Sequence, residues 1–412
     1  MSERVPEGWK NTTIGDAIAD IADGGTPSTA NPEYFGGDIP WVVIDDIQPR
    51  ITQTKSTITD LGLRKSSAKL WDKGTIILST GATIGEVGIA TKAMTTKQGI
   101  CGIVPKDDVS VDYFYHLLVS KKRQLNTLSQ GSTIKETRPP TIKKIQINLP
   151  PLPEQKKIAS ILTSVDEVIE NTQKQMDKLQ DLKKATMNEL LTKGIGHTEF
   201  KDSELGRIPK SWEVRKVDEF AEVTKLAGFE YTDHFDYSVG GEIIAIRALN
   251  LTNGKLDLRD VQTIPREVSD KLPRSKLYSG DILITYVGVN IGELGFIDQD
   301  NKYHLAPNVG KISFDKEEID SNFMFQQMIY ERTQRNIKKL TGVTSQPSLN
   351  MSNIREILVS VPEIHEQKRI GKILKNFDEQ IYEIKGKIFS LICLKKSLMQ
   401  DLLTGKVRVK VN

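Results

Sequence analysis

Between residues 154 and 193, apolar side chains fall at Val165, Ile169, Met176, Leu179 and Leu190, with Thr172 and Thr186 at other seam positions. The same rhythm returns at Phe377, Ile381, Ile384, Ile388, Leu391, Leu398 and Leu402. Spacings that alternate between four and three describe a coiled-coil seam, narrower than the apolar face of an ordinary surface helix. Each stretch opens on prolines, Pro150, Pro151 and Pro153 for the first and Pro362 for the second, where a helix best tolerates them. Gly194 and Gly405 stand at the far ends, as C-terminal stops do. Two long helices are predicted.

The two stretches are copies. EQKKIASIL (Glu154–Leu162) recurs as EQKRIGKIL (Glu366–Leu374), and LKKATMNELLT (Leu182–Thr192) as LKKSLMQDLLT (Leu394–Thr404), both at an offset of 366 − 154 = 394 − 182 = 212. That period exceeds the roughly 50 residues of solenoid repeats. It is the size of a domain plus a helix, so the chain is expected to carry internal pseudo-two-fold symmetry. An antiparallel pairing of the two seams satisfies both that symmetry and the long connection between them. Forty helical residues would span about 60 Å at ~1.5 Å each.

Ahead of each helix the pattern changes to short apolar runs bounded by Gly, Pro, Asp and Asn, which read as strands. The runs are Ile39–Ile44, Thr75–Ser79 and Ile100–Val104 in the first copy, and Glu242–Ile246, Asp281–Thr285 and Val309–Ser313 in the second. Trp9 and Trp212 open the copies, each expected to anchor a short amphipathic helix, and further helices are expected over Val111–Leu128 and Ser321–Leu340. The predicted fold class is α+β: two α/β globular domains and two long helices in an antiparallel coiled coil. The expected boundaries are 1–150, 151–197, 198–362 and 363–412. Val165, Ile169, Met176, Leu179, Phe377, Ile381, Ile384, Ile388 and Leu391 are the expected helix-pair interface.

Composition narrows the possibilities. A net charge of +3 permits nucleic-acid binding without arguing for it, because phosphate neutralisation needs dense basic patches. The first helix carries seven acidic and seven basic residues, a poor surface for phosphate. Cys101 and Cys393 lie too far apart in sequence to mark a disulfide framework or zinc site, and no histidine pair has metal-ligand spacing. No apolar run reaches the ~20 residues of a membrane span, and MSERVPEGWK lacks a signal-peptide core, so the expected location is cytoplasmic.

No common catalytic constellation is present. KGTIILSTGATIGEVG (Lys73–Gly88) and SGDILITYVGVNIGELG (Ser279–Gly295) are rich in glycine but lack dinucleotide-loop spacing, so they read as strand–turn–strand. NPEY (Asn31–Tyr34) has part of an adenine-methyltransferase loop without its second proline or a glycine-rich partner loop, and reads as coincidence. What remains is a set of polar loops carrying the side-chain types that read base edges and grip phosphates. The candidates are Thr26, Ser28, Thr83, Lys97, Gln98, Lys135 and Arg138 in the first copy. In the second they are Arg247, Asn250, Tyr286, Asn290, Asn308, Lys311, Ser345 and Gln346, with Gln98 matched approximately to Asn308.

GGTPS with DIPWV, the paired GTIIL and GDILI strands, LPPLPEQKKIASIL with its echo VPEIHEQKRIGKIL, and the LLT helix endings resemble the specificity subunit of type I restriction-modification enzymes. The likeness runs over essentially the whole chain. It implies a non-catalytic subunit whose domains each read half of a bipartite double-stranded DNA target, with the paired helices setting the spacer. It further implies two modification subunits that bind S-adenosylmethionine and methylate adenine. Restriction subunits using ATP and Mg would join them, leaving this chain no cofactor of its own. The loops differ between copies, GGTPS standing where the second has KLAGFEYTDHFDY (Lys225–Tyr237), so the target is expected to be asymmetric. A self-contained DNA-modifying enzyme with a fused recognition part, or a coiled-coil protein scaffold, are the other readings considered.

Overall fold

A computed structural model describes residues 5–81, 83–129, 136–226, 228, 237, 240–288, 290–341 and 349–411. The chain divides into two compact units, residues 1–173 with 386–412, and residues 174–385. These units cut across the expected boundaries. Each long helix belongs half to one unit and half to the other, because each half buries its apolar stripe in a different core.

In the first unit a five-stranded sheet runs in the order Ile18–Asp23, Ile100–Pro105, Ile76–Ser79, Val87–Ala90, Arg50–Ile51. A second sheet is ordered Ser56–Ile58, Phe35–Val42, Met94–Thr96, Leu70–Trp71. Val111–Ser120 and Lys122–Thr127 form two helices in place of the single one expected. The second unit repeats this plan. Its main sheet runs Ala221–Lys225, Val309–Phe314, Ile282–Thr285, Leu294–Phe296, and its lesser sheet Gln262–Ile264, Ile243–Ile246, Tyr303–Leu305. The parallel pairing of Phe35–Val42 with Met94–Thr96 is matched by Ile243–Ile246 with Tyr303–Leu305.

The tryptophan openings differ from expectation. A strand follows each, Lys10–Thr13 paired to Gln146–Leu149 and Glu213–Lys216 paired to Leu358–Val361, and only a single helical turn comes after it. The strand wins because it closes each domain against the segment that enters the long helix.

The long helices span Leu152–Lys193 and Ile364–Leu403. Their repeated Glu–Gln pair explains itself in contacts. Gln155 donates to Pro150 O at 2.9 Å and accepts from Ser110 N at 2.8 Å. Gln367 donates to Pro362 O at 2.9 Å and accepts from Asp320 N at 2.9 Å. Each glutamine thus satisfies backbone groups that would otherwise be buried unpaired where helix meets domain.

The preceding glutamate takes the tryptophan. Trp9 Nε1 donates to Glu154 at 3.0 Å, and Arg408 grips the same carboxylate with bonds of 2.7 and 2.9 Å. In the second unit Trp212 Nε1 donates to Glu366 at 3.0 Å, and there Ile195 N and His197 Nε2 complete the site. Charge-assisted bonds of this kind are roughly twice as strong as neutral ones, which suits a nearly buried carboxylate.

Within each unit the helical segments run antiparallel. In the first, moving from Glu154 to Asp166 moves the partner back from Arg408 to Lys395. In the second, moving from Glu366 to Asp378 moves it back from Ile195 to Lys183. Asp166–Lys395 and Asp378–Lys183 use the same two repeat positions, exchanged between the helices. Ile381 is buried, and Val165, Ile169, Met176, Leu179, Phe377, Ile384, Ile388 and Leu391 are half-buried. Leu162, Leu402 and Leu403 enter the first core, while Leu191, Ile370 and Leu374 enter a cluster with Trp212 and Phe323.

Candidate nucleic-acid interface

The glycine-punctuated motif folds as an antiparallel hairpin in both units, Ile76–Ser79 against Val87–Ala90 and Ile282–Thr285 against Leu294–Phe296. Gly85 N donates to Ser79 O at 3.0 Å and Gly292 N to Thr285 O at 2.9 Å, so the two turns are built alike. Beside each hairpin the chain makes a left-handed step into the next strand, at Gly99 with φ +83° and at Asn308 with φ +71°. Gly99 O accepts from Thr80 N at 2.8 Å and from Gly81 N at 3.1 Å, and Asn308 O accepts from Tyr286 N at 3.0 Å. Strand register, with Ile100 opposite Ser79 and Val309 opposite Thr285, matches Asn308 to Gly99. The expected match of Asn308 to Gln98 is therefore off by one residue, because only the left-handed position, open to Gly and Asn, fixes the alignment.

In the first unit this geometry leaves a cleft of about 490 Å³ lined by Thr26, Val43, Ile44, Gly81, Lys97, Gln98, Gly99, Ile100 and Glu136. Five segments distant in sequence meet there. Gly24 N donates to Ile100 O and Gly25 N to Thr96 O, both at 2.9 Å, which brings the GGTPS loop in. A side chain at Gly24 would put Cβ 2.3 Å from Thr96 O, so the close approach requires glycine. Lys97 N donates to Val42 O at 3.0 Å, and Lys97 Nζ lies 5.9 Å from the Trp41 ring centroid.

Of the predicted residues, Thr26, Lys97 and Gln98 are brought together by this cleft. Arg138 is exposed and donates to Glu136 at 3.3 Å. Ser28 and Thr83 are exposed, and Thr83 contributes its carbonyl to the hairpin turn. Lys135, Ser345 and Gln346 lie outside the described residues.

In the second unit Asn290 and Asn308 are exposed, and Tyr286 is half-buried with Lys225 Nζ 5.5 Å from its ring centroid. Burial raises the Tyr286 hydroxyl above its ordinary range, so it stays a hydrogen-bond donor. Three candidates have structural roles. Asn250 is fully buried, its amide donating to Asp257 O and Asp260 O at 2.8 Å. Lys311 is buried and donates to Arg274 O and Lys276 O. Arg247 is paired with Asp260 at 3.2 Å. Sequence alone cannot tell a loop's outward polar residue from the one that holds the loop together.

Sequence reading passed over Glu136, though GSTIKETR contains it, and Asp23. Burial raises the Asp23 carboxyl, Glu136 pushes it the same way and Arg138 opposes. Among the described residues no group of three or more His, Cys, Asp or Glu is arranged to hold a metal ion. No helix among them is long and apolar enough to cross a membrane.

A family model described as the type I restriction modification DNA specificity domain matches residues 6–181 and 209–391. The type I restriction enzyme MjaVIII specificity subunit of Methanocaldococcus jannaschii is 31% identical, covering 99% of this chain and 95% of that protein. The MjaIX specificity subunit of the same organism is 28% identical over 99% and 95% of the two chains. Among solved structures, the S subunit of a type I restriction-modification system from M. genitalium superposes with a TM-score of 0.63 at 17% identity, covering 97% and 98%. A chain from work on complex assembly and conformational transition of the type I R-M system gives 0.57 at 15% identity, covering 98% and 100%.

Proposed function

Since the chain belongs to the type I restriction-modification DNA specificity family, we propose that each of its units reads one half of an asymmetric, bipartite DNA target. The observation that carries this reading is one scaffold used twice with unlike loops. Thr26, Lys97, Gln98 and Arg138 serve the first half-site, and Tyr286, Asn290, Asn308 and Lys225 the second. Lysines and arginines grip phosphates and fix register, while amides and hydroxyls meet base edges.

The helices run unbroken from one unit's core into the other's, and in this reading their length sets the spacer between half-sites. Two modification subunits would dock on this chain, supply S-adenosylmethionine chemistry and share the phosphate contacts that a net charge of +3 leaves uncovered. Restriction subunits would bring ATP, Mg and cleavage, and this chain would work in the cytoplasm as positioning machinery.

Replacing residues 1–150 by those of another family member tests the reading. Methylome sequencing of a host expressing the hybrid with its modification subunits should show one half-site changed and the other retained. A change in both halves would contradict modular readout.

A further inference from the structure

The first unit's cleft carries a feature that phosphate binding does not account for. Its floor is backbone, Gly81 and Gly99, and Val43 and Ile44 are apolar lining. Glu136, on the segment bridged to Gly81, contributes a carboxylate whose only described hydrogen-bond partner is the Nε of Arg138 at 3.3 Å. That arginine side chain is 76% exposed, so the pairing is a loose surface contact.

Behind Glu136 the environment is already acidic. Asp23 precedes Gly24, and its Oδ1 is buried with no hydrogen-bond partner among the described residues. The Thr80 hydroxyl, next to Gly81, is likewise buried and unpartnered among them. A phosphate would be repelled by this pair of carboxylates. What they favour is a neutral hydrogen-bond donor.

In a DNA major groove the donors are few: the N4 amino group of cytosine and the N6 amino group of adenine. A flat base edge also suits a glycine floor, which lets a planar group approach the backbone closely. Gln98, exposed on the same cleft, adds both a donor and an acceptor.

Resting on the reading of this unit as a DNA-recognition domain, we propose that Glu136 is a specificity-determining residue. It accepts a hydrogen bond from the exocyclic amino group of a cytosine or adenine in the first half-site. Arg138 turns from Glu136 to a phosphate on binding. Lys97, held by the Trp41 ring, grips the backbone without reading sequence. The second unit reads by other means, since Val287 and Asn308 occupy the places of Gly81 and Gly99 there.

The test uses the full chain in complex with its modification subunits. Duplexes are selected by binding from a randomised pool, with wild type, Glu136→Gln and Glu136→Ala. The expected result is that one first-half position, cytosine or adenine for wild type, loses about 10- to 100-fold of its preference in Glu136→Ala, while Glu136→Gln, whose amide oxygen still accepts, loses less. The second half-site and the spacer stay unchanged, which also certifies folding.

Defined duplexes then distinguish the bases. One carries 2-pyrimidinone for cytosine and the other unsubstituted purine for adenine, each lacking the amino group. Wild type should weaken by the same factor on one of them, and Glu136→Ala should weaken no further, the signature of a coupled pair. Unchanged preference in Glu136→Ala overturns the proposal. So does uniform tightening on every sequence, which would make Glu136 a general repeller of phosphate. If wild type selects no bipartite sequence at all, the recognition reading itself fails, and the proposal falls with it.

Discussion

The two units share a hairpin, a left-handed step and a strand order, yet their described turn tips carry different residues at the same place. In the first, Gly81 and Gly99 leave a cleft edged by Glu136. In the second, Val287 is 41% exposed and Asn308 is exposed too, with Lys225 over the Tyr286 ring. The strands beneath these residues are fully buried in both, Ile76–Ser79 and Ile282–Thr285 alike. The difference teaches that folding constrains the strands and leaves the turn tips free. A reader can change its target by altering a few tip residues, provided the left-handed position keeps Gly or Asn.

The strongest test of the shared frame is its tryptophan. Trp212 is fully buried, meets Phe323 edge-on and bonds to Glu366. Trp212→Ala should destabilise the second unit by about 3–5 kcal/mol, and Trp9→Ala the first by a similar amount, read by chemical denaturation. A large loss at one site with none at the other would break the equivalence of the units.

Acid should separate them. His116 is nearly inaccessible, and burial first, then Lys395, lower its imidazole to about 4. The folded first unit therefore prefers the neutral ring. Its stability is complete above pH ~6.5, falls as pH drops toward about 4 while the unfolded chain takes up the proton, and levels off below that. The loss should reach at most about 3 kcal/mol. The matching residue in the second unit is Gln326, which donates to Asp378 at 2.9 Å. His116→Gln should flatten the acid dependence, and unfolding curves between pH 4 and 7 would show whether it does.

Copying one surface onto the other sharpens the comparison further. A Cβ at Gly81 would meet Gly99 Cα at 3.7 Å, an ordinary contact, so Gly81→Val has room to fold. Gly99→Asn repeats what Asn308 already does. The double variant should cost no more than about 1 kcal/mol of stability while erasing about 10- to 100-fold of first-half-site discrimination in pool selection. Retained discrimination would move the reading surface away from the cleft. The smallest effect belongs to the partly buried pairs Asp166–Lys395 and Asp378–Lys183. Lys395→Ala and Lys183→Ala should each cost about 1 kcal/mol or less by thermal unfolding, and equally.

Much of this was legible in the chain. The period of four and three announced the helices, and the constant offset announced the repeat. Short apolar runs located the Ile76–Ser79, Ile100–Pro105, Ile282–Thr285 and Val309–Phe314 strands to within a residue or so. The strand over Ile39–Ile44 ends instead at Val42, and Ile44–Asp46 turns into a short 3₁₀ segment. Thr26, Lys97 and Gln98 have residue types that suit a nucleic acid, and they share a cleft. Asn250 and Lys311 have the same residue types and lie inside.

Periodicity, repetition and punctuation are local properties, so the sequence by itself determined the long helices, the main sheet strands, the duplication and the absence of a familiar catalytic motif. Tertiary structure decided which polar side chains remain outside. It set Glu136 beside Gly81 and Gly99, and gave Glu154 an arginine where Glu366 has a histidine. Those pairings join residues as far apart as 254 positions, and only the closing of the sheets and the return of the second helix bring them within bonding distance.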